Sequence, residues 1–96
     1  MMRFLLLMLV SLPVWAHYPV MTCELDGDQI HCEVGFSDGS KAIGKKVQLI
    51  TYEDEVLAVQ VADKFSRVSF KKPEGEYYIH YDSGHEFPVE VDYGEL

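Results

Sequence analysis

Cys23 and Cys32 lie at equal distances on either side of the pair Gly27-Asp28, and apolar residues alternate with polar ones through both flanks. A turn centred between Gly27 and Asp28 sets Leu25 opposite Ile30, Cys23 opposite Cys32 and Met21 opposite Val34. Side chains of a β-strand alternate between faces with period two. In this register Met21, Cys23, Leu25, Ile30, Cys32, Val34 and Phe36 therefore share one face, and only Val20 among the apolar residues dissents. Directly opposed cysteines can bridge, so a single hairpin disulfide between Cys23 and Cys32 is expected. Its closed loop is short, which limits the expected stabilisation to about 2–3 kcal/mol. The rival arrangement, two free thiolates holding a metal, is disfavoured because this register points both sulfurs into the core.

The same strand signal recurs along the chain. Runs at Lys46–Tyr52, Val56–Ala62, Ser66–Phe70, Glu76–Asp82 and Glu86–Tyr93 join Val20–Leu25 and Gln29–Phe36, with turn residues between them. Glu53–Lys64 also fits a helical period through Leu57 and Val61, but its valines favour a strand. Tyr77, Ile79 and Tyr81 form one face of their run, and Phe87, Val89 and Val91 form an inward row on the last. Gly75 followed by Tyr77 resembles the corner of many sandwiches, where a tyrosine hydroxyl bonds back to upstream backbone; core packing is the preferred role for Tyr77 and Tyr81. Together these features predict an all-β, seven-stranded, immunoglobulin-like β-sandwich.

Ahead of the domain, Met1-Met2-Arg3 and the apolar run Phe4–Leu12 precede Pro13-Val14-Trp15-Ala16, with Val and Ala at −3 and −1 of a cut before His17. The run is shorter than the roughly 20 residues that span a bilayer. Residues 1–16 are thus expected to be a cleavable signal peptide and residues 17–96 one exported, periplasmic domain without a membrane anchor. Arg3 leaves with the signal, so seven basic residues face sixteen acidic ones and the mature charge is −9 with histidine neutral. Such a surface repels phosphate backbones and anionic headgroups, which argues against nucleic-acid and membrane-surface partners and leaves cations and basic protein patches.

Four histidines carry the remaining chemistry. Cleavage before His17 frees an α-amino group beside its imidazole, and the two nitrogens can close a six-membered chelate on one ion. Imidazole and α-amino groups ordinarily titrate at about 6.5–8, so a metal ion displaces their protons near neutrality. Nitrogen donors of this kind suit Cu²⁺ and Ni²⁺. His31 falls on the outward face of the hairpin across from Glu24, either as a polar cross-strand contact or as a second ligand. His80 points away from the Tyr77–Tyr81 row and is expected to be solvated. His85 sits in Asp82-Ser83-Gly84-His85-Glu86, a connection offering an imidazole near two carboxylates. No Gly-rich phosphate loop, G-x-S-x-G or H-E-x-x-H occurs, and no enzyme activity is expected.

Two stretches carry a family resemblance: Gly27-Asp28-Gln29-Ile30-His31-Cys32-Glu33-Val34-Gly35-Phe36-Ser37-Asp38-Gly39-Ser40 with Ala42–Val47, and Phe70–Ile79 with Asp82–Glu86. Together they resemble the small extracytoplasmic domains that accompany nickel and cobalt uptake transporters. The resemblance implies a prealbumin-like or carboxypeptidase-regulatory-like sandwich, with metal bound by an amino-terminal histidine and a Gly-His near the last strand pair, positions matched by His17 and His85. The hairpin cysteines and the lack of a carboxy-terminal membrane helix depart from the pattern. The expectation is therefore a periplasmic accessory that binds nickel, cobalt or copper through His17, with His85 or His31 completing the site, for a membrane transporter or receptor. The alternative is a non-catalytic envelope interaction domain docking through a sheet edge or its acidic face.

Overall fold

The first hairpin forms in the register its sequence dictates. In a computed structural model that describes residues 17–84 and 87–96, β1 (Pro19–Asp26) pairs antiparallel with β2 (Gln29–Phe36). Cys23 faces Cys32, Leu25 faces Ile30, and Met21 faces Val34. Gly27 takes a φ of +64°, as the first central residue of a tight two-residue hairpin turn requires. Across this pair the cysteine Cα atoms lie 4.0 Å apart and the sulfurs are bonded, so neither thiol is free. Leu25 departs from the expected inward row: it is 40% exposed on the edge strand β1, although Ile30 opposite it on the central strand is fully buried.

The remaining strands are β3 (Lys46–Thr51), β4 (Val56–Val61), β5 (Arg67–Lys71), β6 (Tyr77–Tyr81) and β7 (Val89–Asp92), closed by a 3-10 turn at Tyr93–Glu95. They form two antiparallel sheets, ordered β1-β2-β5 and β4-β3-β6-β7. Glu53–Lys64 holds a strand rather than a helix, as its valines favour. The inner faces interleave Ile30, Cys32, Val34, Val68 and Phe70 with Val47, Leu49, Tyr77, Ile79 and Tyr81. Residues 1–16, where a signal peptide is expected, lie outside the described residues, as do His85 and Glu86.

Two inward assignments on the last strands change. Phe87 is 89% exposed rather than part of the inward row. Its neighbour Pro88 has no N–H for a ladder, and β6 ends at Tyr81 opposite Val89, so no strand remains for Phe87 to pair with. Val89 and Val91 do pack against the core. The backward hydroxyl bond suggested for Tyr77 is made instead by Tyr81, which donates to the Gly35 carbonyl at 3.4 Å. Tyr77 itself is buried in the core.

One corner ties the sheets together through a buried polar residue. Asp63 Oδ1 accepts from the Phe65 and Arg67 N–H groups, and the Ser66 N–H donates to the Asp63 carbonyl. This turn holds Ser66 at a φ of +65°. Its hydroxyl accepts from the Ala42 N–H at 2.6 Å while its carbonyl accepts from the Val34 N–H at 2.8 Å. A buried serine is tolerated here because its polar atoms are matched. The consequence for the site is that the 37–45 crossover is fastened to the same end of the sandwich where β1 begins.

Candidate functional site

His17 stands just ahead of β1, at the end of the sandwich where β2 and β6 finish and β3 starts. Its backbone neighbour is clamped: the Tyr18 N–H donates to Ser37 Oγ at 3.1 Å, and the Ser37 N–H donates to the Tyr18 carbonyl at 2.8 Å. The imidazole meets the Phe36 ring edge-on, with centroids 4.6 Å apart and planes at 84°. Phe36 in turn rests edge-on against Tyr81. The ring therefore has an apolar seat while half of it stays open to water.

The turn after β2 supplies a carboxylate to this ring. Asp38 Oδ1 accepts two hydrogen bonds from Ser40, from its hydroxyl at 2.7 Å and its N–H at 2.9 Å. These bonds, the hydroxyl first, and then the nearby His17 ring hold the Asp38 carboxyl below its ordinary value of 3.8. With Oδ1 engaged, Oδ2 is the oxygen that faces His17, 3.9 Å from Nδ1. Nδ1 is also the ring nitrogen that closes a six-membered chelate with an α-amine on the same residue. If the chain begins at His17, a freed amine would add a second nitrogen to this imidazole and carboxylate, a donor set suited to a borderline divalent ion. The Asp38 contribution was not anticipated; the sequence signal available for it was the Asx turn Asp38-Gly39-Ser40, whose own hydrogen bonds free one oxygen.

The other histidines are distributed differently. His31 lies on the outer face of the three-stranded sheet, opposite Glu24 on β1 and Ser69 on β5. Its Nδ1 is 2.9 Å from Ser69 Oγ and its Nε2 3.5 Å from Asp26 Oδ2. Phe36 is five positions further along β2 and on the opposite face, so His31 stands roughly 16 Å away along the strand. The fold does not bring it to His17. Ser69, His31 and Asp26 form a serine–imidazole–carboxylate row beside a depression of the outer sheet face that Thr22, Glu33 and Arg67 also line and that opens to solvent.

His80 is not solvated as expected. Its ring is 21% exposed and Nδ1 sits 2.7 Å from Glu90 Oε2 across β6 and β7. His85 lies outside the described residues, but its connection leaves β6 at the His17 end: the Lys45 ammonium donates to the Ser83 carbonyl at 3.3 Å, and the Gly84 N–H donates to Asp82 Oδ1. Among the described residues, no group of three or more His, Cys, Asp or Glu side chains is arranged to hold a metal ion. Nor is any helix among them long and apolar enough to cross a membrane.

The opposite end of the sandwich carries tyrosines paired with carboxylates. The Tyr52 hydroxyl donates to Asp92, Tyr78 to Asp54 at 3.0 Å and Tyr93 to Glu76 at 3.1 Å. The Asp92 hydrogen bond, followed by burial, pushes the Tyr52 phenol up to about 12. A phenol that holds its proton more tightly when folded contributes stability below its unfolded value near 10, lost as the pH rises through about 12. Tyr52→Phe should therefore lower the thermal midpoint at pH 9, and the gap to wild type should close towards pH 12 in alkaline melts. Parallel curves would mean that the Tyr52–Asp92 bond does not form.

No family model matches this chain, and comparison with curated proteins and with solved structures finds no significant match.

Proposed function

We propose that this chain is an exported, periplasmic binder of a transition-metal ion, nickel, cobalt or copper, carried as cargo for an uptake or delivery system. The observation that carries this reading is the seating of His17 on Phe36 with Nδ1 turned to the one free oxygen of Asp38. An imidazole and carboxylate already oriented at a chain end need only the freed amine to make a three-donor site. The reading takes support from two further properties. The Cys23–Cys32 bridge fits an oxidising compartment, where such bonds persist. The excess of acidic residues raises the local concentration of cations at the surface. In this scheme His85 is the candidate fourth donor, because its connection starts at the same end, and His31 has a role only in the cross-strand contacts it already makes.

Calorimetric titration of the purified exported protein with Ni²⁺, Co²⁺ and Cu²⁺ tests the proposal. One ion per chain should bind with release of protons, because both nitrogens must be deprotonated to donate. Asp38→Asn keeps a side chain able to accept from Ser40 but removes the charge facing the ring. It should weaken binding by about tenfold, in the range of a lost supporting ligand. Binding that is absent for all three ions defeats the reading. An Asp38→Asn protein with unchanged affinity removes Asp38 from the site.

A further inference from the structure

Strand β4 is the edge of the four-stranded sheet, with β3 on one side and, among the described residues, no hydrogen-bonded strand on the other. Its sequence, Val-Leu-Ala-Val-Gln-Val over residues 56–61, contains no charge. Four of its side chains, Val56, Leu57, Val59 and Val61, are each between 43% and 55% exposed. Edge strands that stay unpaired are ordinarily protected by charge, proline or burial, and an apolar uncharged edge is a template for another strand. A register irregularity near Leu57 disturbs only its start; Ala58–Val61 run in regular register with Lys46–Leu49.

Charge identifies what can pair there. The molecule carries a net charge of −8, so a second copy is repelled from most of the surface. Along β4 the distribution is polar instead. The exposed acidic turn Glu53-Asp54-Glu55 precedes the strand; Lys46 pairs with its last residue, Val61, and Lys64 follows shortly after. The intervening Asp63 spends one carboxylate oxygen within its own turn. Two copies of β4 laid antiparallel bring the acidic end of each against the basic end of the other.

We propose that β4 is a homodimer interface, at which two chains pair their β4 edges antiparallel about a two-fold axis and extend the sheet continuously from one molecule into the other. Outward-facing side chains meet outward-facing ones when the axis passes between the two Val59 residues. In that register Val59 opposes Val59 of the second copy, Leu57 opposes Val61, and Ala58 opposes Gln60. Asp54 then approaches Lys64 of the second copy. Such an isologous contact closes on itself, which limits assembly to two chains. One short strand buries less than a standard interface, so the dimer is a weak one.

Sedimentation equilibrium of the exported protein over about 5 μM to 1 mM reads this directly, since that range brackets a weak interface. Wild type should pass from one chain to two. Val59→Lys, at an exposed position that the fold does not need, should keep an unchanged far-ultraviolet circular dichroism spectrum and raise the dissociation constant at least tenfold. Val59→Cys should form a disulfide-linked dimer under mild oxidation, because the two-fold axis brings the introduced thiols together. A wild-type protein that remains one chain at the highest concentration overturns the proposal. So does a Val59→Lys protein that dimerises as wild type does, or a Val59→Cys protein that does not cross-link. None of these outcomes depends on metal, so the interface stands or falls separately from the proposed function.

Discussion

Ile79→Ala should destabilise the domain by about 2–5 kcal/mol, the range for truncating a large aliphatic side chain in a closed core. Ile79 is wholly buried, with Leu49 of β3 on one side and Val91 of β7 on the other. It lies in an interior strand of the larger sheet, where no neighbouring loop can fall in to fill the space. A domain of this size holds only roughly 0.05–0.15 kcal/mol per residue. The loss is therefore a large share of the total, and at roughly 4–8 °C per kcal/mol it should lower the thermal midpoint by roughly 8–40 °C. Phe87→Ala supplies the contrast. It removes a larger side chain, but one that is 89% exposed, and should cost less than about 0.5 kcal/mol. Urea denaturation of both variants, with wild type, checks the pair. A small effect at Ile79 or a large one at Phe87 would mean that the last two strands pack the other way round.

That contrast also marks how far the fold could be read from residue patterns. The hairpin register was legible to the residue because a Gly-Asp turn and two equidistant cysteines leave one alignment that keeps the apolar set together. The strand at Val56–Val61 was legible from its valines. Phe87 was not, because period-two alternation assumes a continuous strand. Pro88 interrupts the ladder, and whether a partner strand extends that far depends on where β6 stops. Tyr77 and Tyr81 occupy the same inward face four residues apart, and sequence spacing alone could not decide which hydroxyl reaches backbone; the position of Gly35 on the facing sheet decides it. His80 gained its Glu90 partner from a pairing between β6 and β7 whose register depends on a loop of unpredictable length.

The candidate site was legible in one half. His17 could be singled out from its place after the expected cleavage point. Asp38 could not, because 20 residues of hairpin separate it from His17 and only the closed β1–β2 pair returns the chain to its start. Read forward, the geometry is simple: Pro19 opposes Phe36, so the residues just before β1 and just after β2 must meet. His31 was a plausible ligand in one dimension and is excluded from His17 by the same pairing, which places it mid-strand on the outer face. Both outcomes follow from one hairpin.

Acetylating the α-amine of His17, so that no free amine remains at the start of the exported chain, should reduce metal affinity by roughly 100-fold to 10,000-fold, the gain ordinarily supplied by joining two donors in one ligand. The modification leaves the imidazole, its Phe36 seat and the Asp38 carboxylate in place, so it isolates the amine. An acetylated nitrogen has no lone pair to offer near neutral pH, and only the imidazole and the Asp38 carboxylate remain as donors. His17→Ala should cost a comparable factor by the opposite route, keeping the amine and losing Nδ1. For the unmodified protein, affinity should fall as the pH is lowered, because protons compete with the ion for both nitrogens. In the acetylated protein only the imidazole part of that dependence should survive. Equal binding by the acetylated and unmodified proteins would show that the ion sits elsewhere. An intact mass of the exported protein that starts at any residue other than His17 would remove the chelate altogether.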